Sequence, residues 1–227
     1  MHTKYLDIHT HSANDGEDTL SVVCHAFPLQ DVPTSGCASV GVHPWDIDKV
    51  FHQNPGLIHQ EYPLWHNLST ECQRANVLLI GECGLDFAVA KSSQERNLQT
   101  EVFMRHIAIS EAIHKPLLIH CVKAYNELLQ LRRSLPITQP WIIHGFRGKP
   151  QLAQQILSHS DGYYLSFGER SNEQSLLYTP LNRLFIETDT STVPICDIYS
   201  RIASLRGITT EELCQYTTDN IQHILLH

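Results

Sequence analysis

Short apolar runs, each closed by a side chain that can ligate a metal, constrain this 227-residue chain more than any other feature. His9 and His11 follow Tyr5-Leu6, Glu82 follows residues 77–81, and His120 follows residues 117–119. His144 follows residues 141–143, and Asp189 closes residues 184–188. Strands that each end in a ligand, repeated around a barrel, build a divalent-metal site at one end of the fold. Fifteen histidines in 227 residues make about one H-x-H pair by chance. The pair His9/His11 is therefore informative through its placement, not its existence.

Eight apolar or β-branched runs lie near Tyr5–Ile8, Leu20–Phe27, Ala38–Val42, Val77–Ile80, Leu117–Ile119, Trp141–Ile143, Tyr163–Phe167 and Leu184–Ile186. Several are continuous, as parallel strands covered on both faces require. Helices are predicted over Gln94–His114, Ala124–Ser134 and Pro150–Ser158, the first capped by Ser92 or Ser93 and ended by Pro116. Thr209 with Glu212 reads as a capping box, and Thr218 or Asp219 opens a last helix through Leu226. Strand–helix alternation from residue 77 predicts right-handed βαβ units around a parallel sheet. The first third leaves too little chain for full outer helices. Ser12–Thr19 and Val32–Gly36 read as loops, and Phe51–Asn76, with Pro55 and Pro63, as broken helix. The expected fold is a single α/β domain over residues 1–227 built on a parallel sheet; a barrel of this kind would lack its first outer helices.

Formal net charge is −8 with histidines neutral. That disfavours bulk attraction to nucleic acid, yet bound cations reverse the sign locally and leave a nuclease open. Seven cysteines form no C-x-x-C pair, which argues for a reducing compartment rather than a disulfide framework. Residues 1–5 carry no basic stretch ahead of an apolar segment, and no run approaches about 18 apolar residues. A cytoplasmic enzyme is expected, with no membrane partner. Phosphate-binding loop, nucleophile-elbow and dinucleotide motifs are absent.

In a strand, Asp7, His9 and His11 share one side, so two imidazoles can converge on one cation, with Asp7 holding a ring or pairing with a base. Gly81 and Gly84 around Glu82 permit sharp turns and close backbone approach to a ligand, and a carboxylate there could bridge two metals. His120 and His144 each end three large apolar residues. Asp189 could ligate and also accept a proton from attacking water, with Glu187 in support. Imidazole and carboxylate donors suit Zn, Mg or Mn. Cys83 and Cys121 follow ligand positions and read as core. His43 reads as a substrate contact or a loop histidine; Lys123, Arg147 and Lys149 follow the His120 and His144 positions and read as phosphate contacts or solvated charges. His52, His59 and His66 read as surface.

These residues, in order, resemble the TatD-like metal-dependent hydrolases of the amidohydrolase superfamily. The resemblance runs through Asp7-Ile8-His9-Thr10-His11, Gly41-Val42-His43-Pro44, Gly81-Glu82-Cys83-Gly84-Leu85-Asp86, Ile119-His120, His144-Gly145-Phe146, Glu187-Thr188-Asp189 and Thr217-Thr218-Asp219-Asn220. It implies a distorted (β/α)8 TIM barrel, here with abbreviated N-terminal helices, and a one- or two-metal site with His9, His11, Glu82, His120, His144 and Asp189 as ligands, Glu82 bridging and His43 near the substrate phosphate. It implies a metal-dependent deoxyribonuclease, often exonucleolytic from the 3′ end, in which metal-activated water attacks phosphorus and Asp189 takes its proton. Three positions depart from the family pattern. Thr190-Ser191-Thr192 replaces a small residue, Pro and Tyr after the last Asp; Gly145 replaces a Cys; Arg147 stands where Ser or Thr is common.

The reading is a hydrolase of phosphodiester bonds in DNA that uses two divalent ions, with Glu82 and Asp189 catalytic and His43, Lys123 and Arg147 binding substrate. A small phosphoester, ester or amide is the alternative substrate, and a non-catalytic subunit of a larger assembly the alternative class. A monomer is expected, with an oligomer open.

Overall fold

The computed structural model describes residues 5–12, 18–51 and 63–226. Eight strands appear where the apolar runs predict them: β1 Tyr5–Thr10, β2 Thr19–Ala26, β3 Cys37–Gly41, β4 Val77–Asp86, β5 Leu117–Val122, β6 Trp141–Ile143, β7 Tyr163–Phe167 and β8 Leu184–Ile186. They form one sheet in sequence order, β1 to β8, the order of a (β/α)8 fold. The pairs β1–β2, β3–β4, β4–β5 and β7–β8 are parallel. Register shifts between Asp7 and Thr10, Ala38 and Ser39, and Ile80 and Cys83 distort the regular pattern.

Helices follow the later strands: α1 Ile47–Phe51, α2 Pro63–Cys72, α3 Ser93–Ile113, α4 Tyr125–Ser134, α5 Pro150–His159, α6 Glu173–Tyr178, α7 Ile195–Arg206 and α8 Thr210–Leu226. No helix lies between β1 and β3 among the described residues, as the short spacing predicts. Residues 13–17 of the expected first loop, and 52–62 with His52 and His59, lie outside the described residues. His66 is exposed on α2. The predicted break at Thr218 or Asp219 is absent: α8 runs on because the Thr209–Glu212 box already caps it, with reciprocal bonds of 2.8 and 3.1 Å. Ser92 and Glu95 make the same box at α3, and His114 ends it in a left-handed conformation. No described helix is long and apolar enough to cross a membrane.

The chain divides into two compact units, Met1–Val23 with Ile142–His227, and Cys24–Trp141. In the first, Ile8, Tyr163, Leu165, Phe167, Phe185 and Tyr199 are wholly buried. Asp189 N–H donates to His9 O at 2.9 Å, and His11 N–H to Asp189 O at 3.3 Å, so β1 runs beside the end of β8. Tyr199 from α7 fixes the start of β1 through its hydroxyl, which donates to Leu6 O at 2.8 Å. In the second unit, Val77, Leu79, Ile80, Leu117, Leu118, Ile119 and Trp141 are buried. Cys83 and Cys121 are buried there too, as core residues, and all seven cysteines are free thiols.

Candidate metal centre

In the first unit the β1–β8 pairing places His9 and His11 against Asp189. Asp189 Oδ1 lies 3.6 Å from His9 Nε2 and 3.5 Å from His11 Nε2. These separations are long for hydrogen bonds. They match two donors that each sit about 2.1 Å from one cation at a tetrahedral angle, which stand about 3.4 Å apart. The three donor atoms fall within 4.8 Å of one another. The donor set of two imidazoles and one carboxylate therefore fits a divalent ion with an open position.

His144 stands beside them, its ring 4.4 Å from that of His9. Buried Glu187 stands near it: its Oε1 lies 3.6 Å from His144 Nδ1 and accepts the Gly145 N–H at 2.5 Å. Asp7 does not hold a ring or a base. Both its oxygens are taken by Thr188, from the backbone N–H at 3.0 Å and the hydroxyl at 2.6 Å, because the register shift after Asp7 turns it toward the β8 end. Burial pushes the Asp7 carboxyl up to about 6 against the pull of those two bonds. Burial acts on Asp189 in the same sense, but the neighbouring His11 and His9 rings outweigh it and hold this carboxyl well below the usual range. Asp189 is ionised at neutral pH. It also lines a small cavity of about 80 Å³ with Glu187, Thr190, Ser191, Arg147 and Arg170.

In the second unit Glu82 is inside β4 rather than just past its end. Gly81 and Gly84 read as turn formers, but at φ 143° and 134° they keep β4 in the sheet. A Cβ at either would collide with the carbonyl oxygen of Leu118 or His120. Glu82 Oε1 lies 2.8 Å from His120 Nδ1 and 3.0 Å from His43 Nε2. Asp86 Oδ2 lies 3.2 Å from His120 Nε2. His120 thus has a carboxylate at each ring nitrogen, the arrangement in which one holds the ring while the other nitrogen faces a cation.

His43 Nδ1 accepts the Trp45 backbone N–H at 3.1 Å, so Nε2 carries the proton and donates to Glu82. His43 therefore aims the carboxylate. Glu82 and His120 have ligand atoms within 4.8 Å of each other and of His43, and with His43 spent on Glu82 and Trp45 they are the pair left to face a cation. Lys123 directly follows β5, exposed at φ 55°. Arg147 is exposed on the rim of the small cavity.

Sequence reasoning overlooked Asp86 and Trp45. Asp86 lies four residues after Glu82 on the same strand, so alternation gives it the same face only once β4 is known to continue past Gly84. Its carboxylate also accepts Trp45 Nε1–H at 2.7 Å and Ala88 N–H at 2.8 Å. Burial opposes its ionisation, but the His120 and Trp45 bonds prevail and hold it well below the usual range.

The family model described as TatD related DNase matches residues 29–226. The uncharacterized metal-dependent hydrolase YcfH of Escherichia coli K12 is 31% identical over 169 residues, covering 65% of this chain and 62% of YcfH. The putative deoxyribonuclease tatdn3 of Danio rerio is 30% identical over 165 residues, covering 64% of this chain and 60% of tatdn3. The match thus spans under two thirds of either relative's length. Among solved structures, a TatD family hydrolase from Entamoeba histolytica superposes with a TM-score of 0.75 at 16% identity, covering 98% of both chains. That likeness shows a shared fold.

Proposed function

Because the chain belongs to the TatD-related DNase family, we propose that it is a metal-dependent hydrolase that cleaves phosphodiester bonds in DNA from the 3′ end. The observation that carries this reading is the spacing of about 3.5 Å between Asp189 Oδ1 and each of the His9 and His11 rings. The printed name of the Danio rerio relative supports DNA as substrate. His9, His11 and Asp189 would hold one divalent ion, with His144 beside it; Glu82 and His120 would hold another. A cation held by these donors supplies a Lewis acid and makes water nucleophilic near neutral pH.

The chain's own groups do the rest. Ionised Asp189 accepts the proton of the attacking water. Glu187 stands near the His144 ring, while Asp86 and His43 fix His120 and Glu82. Arg147 and Lys123 meet phosphate oxygens and offset charge that develops on them. A small phosphoester is the second reading. It is favoured by the net charge of −8 and by the small volume, about 80 Å³, of the cavity beside Asp189.

The test is digestion of 3′- and 5′-labelled single-stranded and duplex DNA beside a panel of esters, with and without chelator. Chelator-sensitive shortening from the 3′ end is expected, and Asp189→Asn should slow it by about 10²- to 10⁴-fold. Ester turnover with DNA intact would favour the small substrate, and cation binding with no turnover at all would refute the enzyme.

A further inference from the structure

Trp45 is 59% exposed, while the other two tryptophans, Trp65 and Trp141, are 5% and 0% exposed. Its ring is nevertheless fixed. The indole Nε1–H donates to Asp86 Oδ2 at 2.7 Å, and the backbone N–H to His43 Nδ1 at 3.1 Å. The ring stands edge-on to His43 at 5.1 Å and to His120 at 6.0 Å between centroids. The carboxylate that pins this indole is the same one that holds His120. A wet aromatic face is thus held in one orientation beside a candidate cation ligand.

A cavity of about 240 Å³ opens along the indole. Ile47, Val89 and Leu98 give it apolar walls, Asp48 and Glu95 also line it, and no Lys or Arg does so among the described residues. A phosphate there would meet two carboxylates and no cation. A flat, uncharged ring that carries amine donors would find an apolar slot, an aromatic face and acceptors.

We propose that Trp45 and this cavity form a nucleobase subsite, in which the base adjoining the scissile phosphodiester stacks on the indole. The assignment rests on the phosphodiesterase reading and specifies its substrate: a nucleotide with an intact base, not a bare phosphoester. Stacking on an aromatic side chain is tolerant of base identity, so the subsite selects for a base without selecting a sequence.

Trp45 is the exposed tryptophan, so its emission reports on this subsite directly. The full chain is titrated with dAMP and with deoxyribose 5-phosphate, exciting at the red edge of the tryptophan band, clear of base absorption. Expected is saturable quenching by dAMP and protection of the emission from acrylamide, with the base-free phosphate binding about 10- to 100-fold more weakly. Trp45→Phe keeps a ring and should lose the quench while it retains dAMP binding by calorimetry within about tenfold. Equal affinity for the two phosphates, or dAMP quenching that survives in Trp45→Phe, overturns the subsite.

DNA cleavage is scored in parallel on strands that end in a normal or an abasic nucleotide. Base-dependent quenching without any DNA cleavage upholds the subsite and sinks the nuclease. Cleavage that is indifferent to the terminal base, with no quench, sinks the subsite and leaves the hydrolase standing.

Discussion

His106 shows how one buried side chain ties the stability of α3 to pH. Its Nδ1 lies 2.8 Å from Val102 O, which can only accept, and its Nε2 lies 3.0 Å from Val42 N–H, which can only donate. The neutral ring with its proton on Nδ1 satisfies both; the imidazolium would face the Val42 N–H with a second donor. Burial pulls its pKa from 6.5 down to about 4, against the Val102 bond. Between those values the unfolded chain binds a proton that the folded chain refuses, so stability is present above pH 6.5 and is lost as pH falls toward 4. A shift of this size is worth about 3 kcal/mol. The stability advantage of the wild-type chain over His106→Gln, measured by urea unfolding, should therefore shrink by about 3 kcal/mol between neutral pH and pH 4. An advantage that does not change with pH would show that the ring is not held neutral.

At the scale of elements, β4 carries both the clearest success of sequence reasoning and its clearest failure. Its apolar start, residues 77–80, announces a buried strand, and the same signal marked the other seven. The end of β4 was illegible because Gly81 and Gly84 are turn residues by habit and strand residues here, where the close approach to β5 excludes any side chain. Glu82 and His120 were legible as candidate ligands, being polar groups at the ends of apolar runs. Asp86 was not, since its place on the strand depends on that misread continuation. The helix α7 carried no capping motif strong enough to announce it, whereas the Ser92 or Ser93 cap at α3 and the Thr209–Glu212 box at α8 did.

Gly84→Ala tests the argument. The new Cβ meets His120 O, and φ of 134° is closed to alanine. Destabilisation by about 2 kcal/mol or more is expected in urea unfolding. A change within about 0.5 kcal/mol would mean that β4 and β5 can separate without penalty.

For the molecule as a whole, the sequence-ordered sheet follows from the alternation of buried runs and amphipathic segments, which made a parallel α/β sheet readable from the pattern, while the barrel was read from the family resemblance. Composition was a poorer guide to chemistry: a net charge of −8 argues against nucleic acid, while the donor clusters argue that cations invert that sign where it matters. The decisive quantity is how many ions the chain takes up. Each unit carries its own cluster, His9, His11 and Asp189 in one and Glu82 and His120 in the other, so calorimetric titration of chelator-treated protein with Mn²⁺ or Zn²⁺ should reach two ions per chain. His11→Ala and His120→Ala should each reduce that number to one. His11 is exposed, so its loss leaves the core intact and isolates ligation from folding.

At a free-ion concentration about a hundredfold above Kd, each ion adds about 2.7 kcal/mol of stability. In a chain of this length that raises Tm by about 5 to 11 °C, and chelator should remove it. An uptake of two ions by both variants would place the donors elsewhere. No uptake by the wild-type chain would leave the imidazoles and carboxylates as a hydrogen-bonded network and remove the physical basis for hydrolysis.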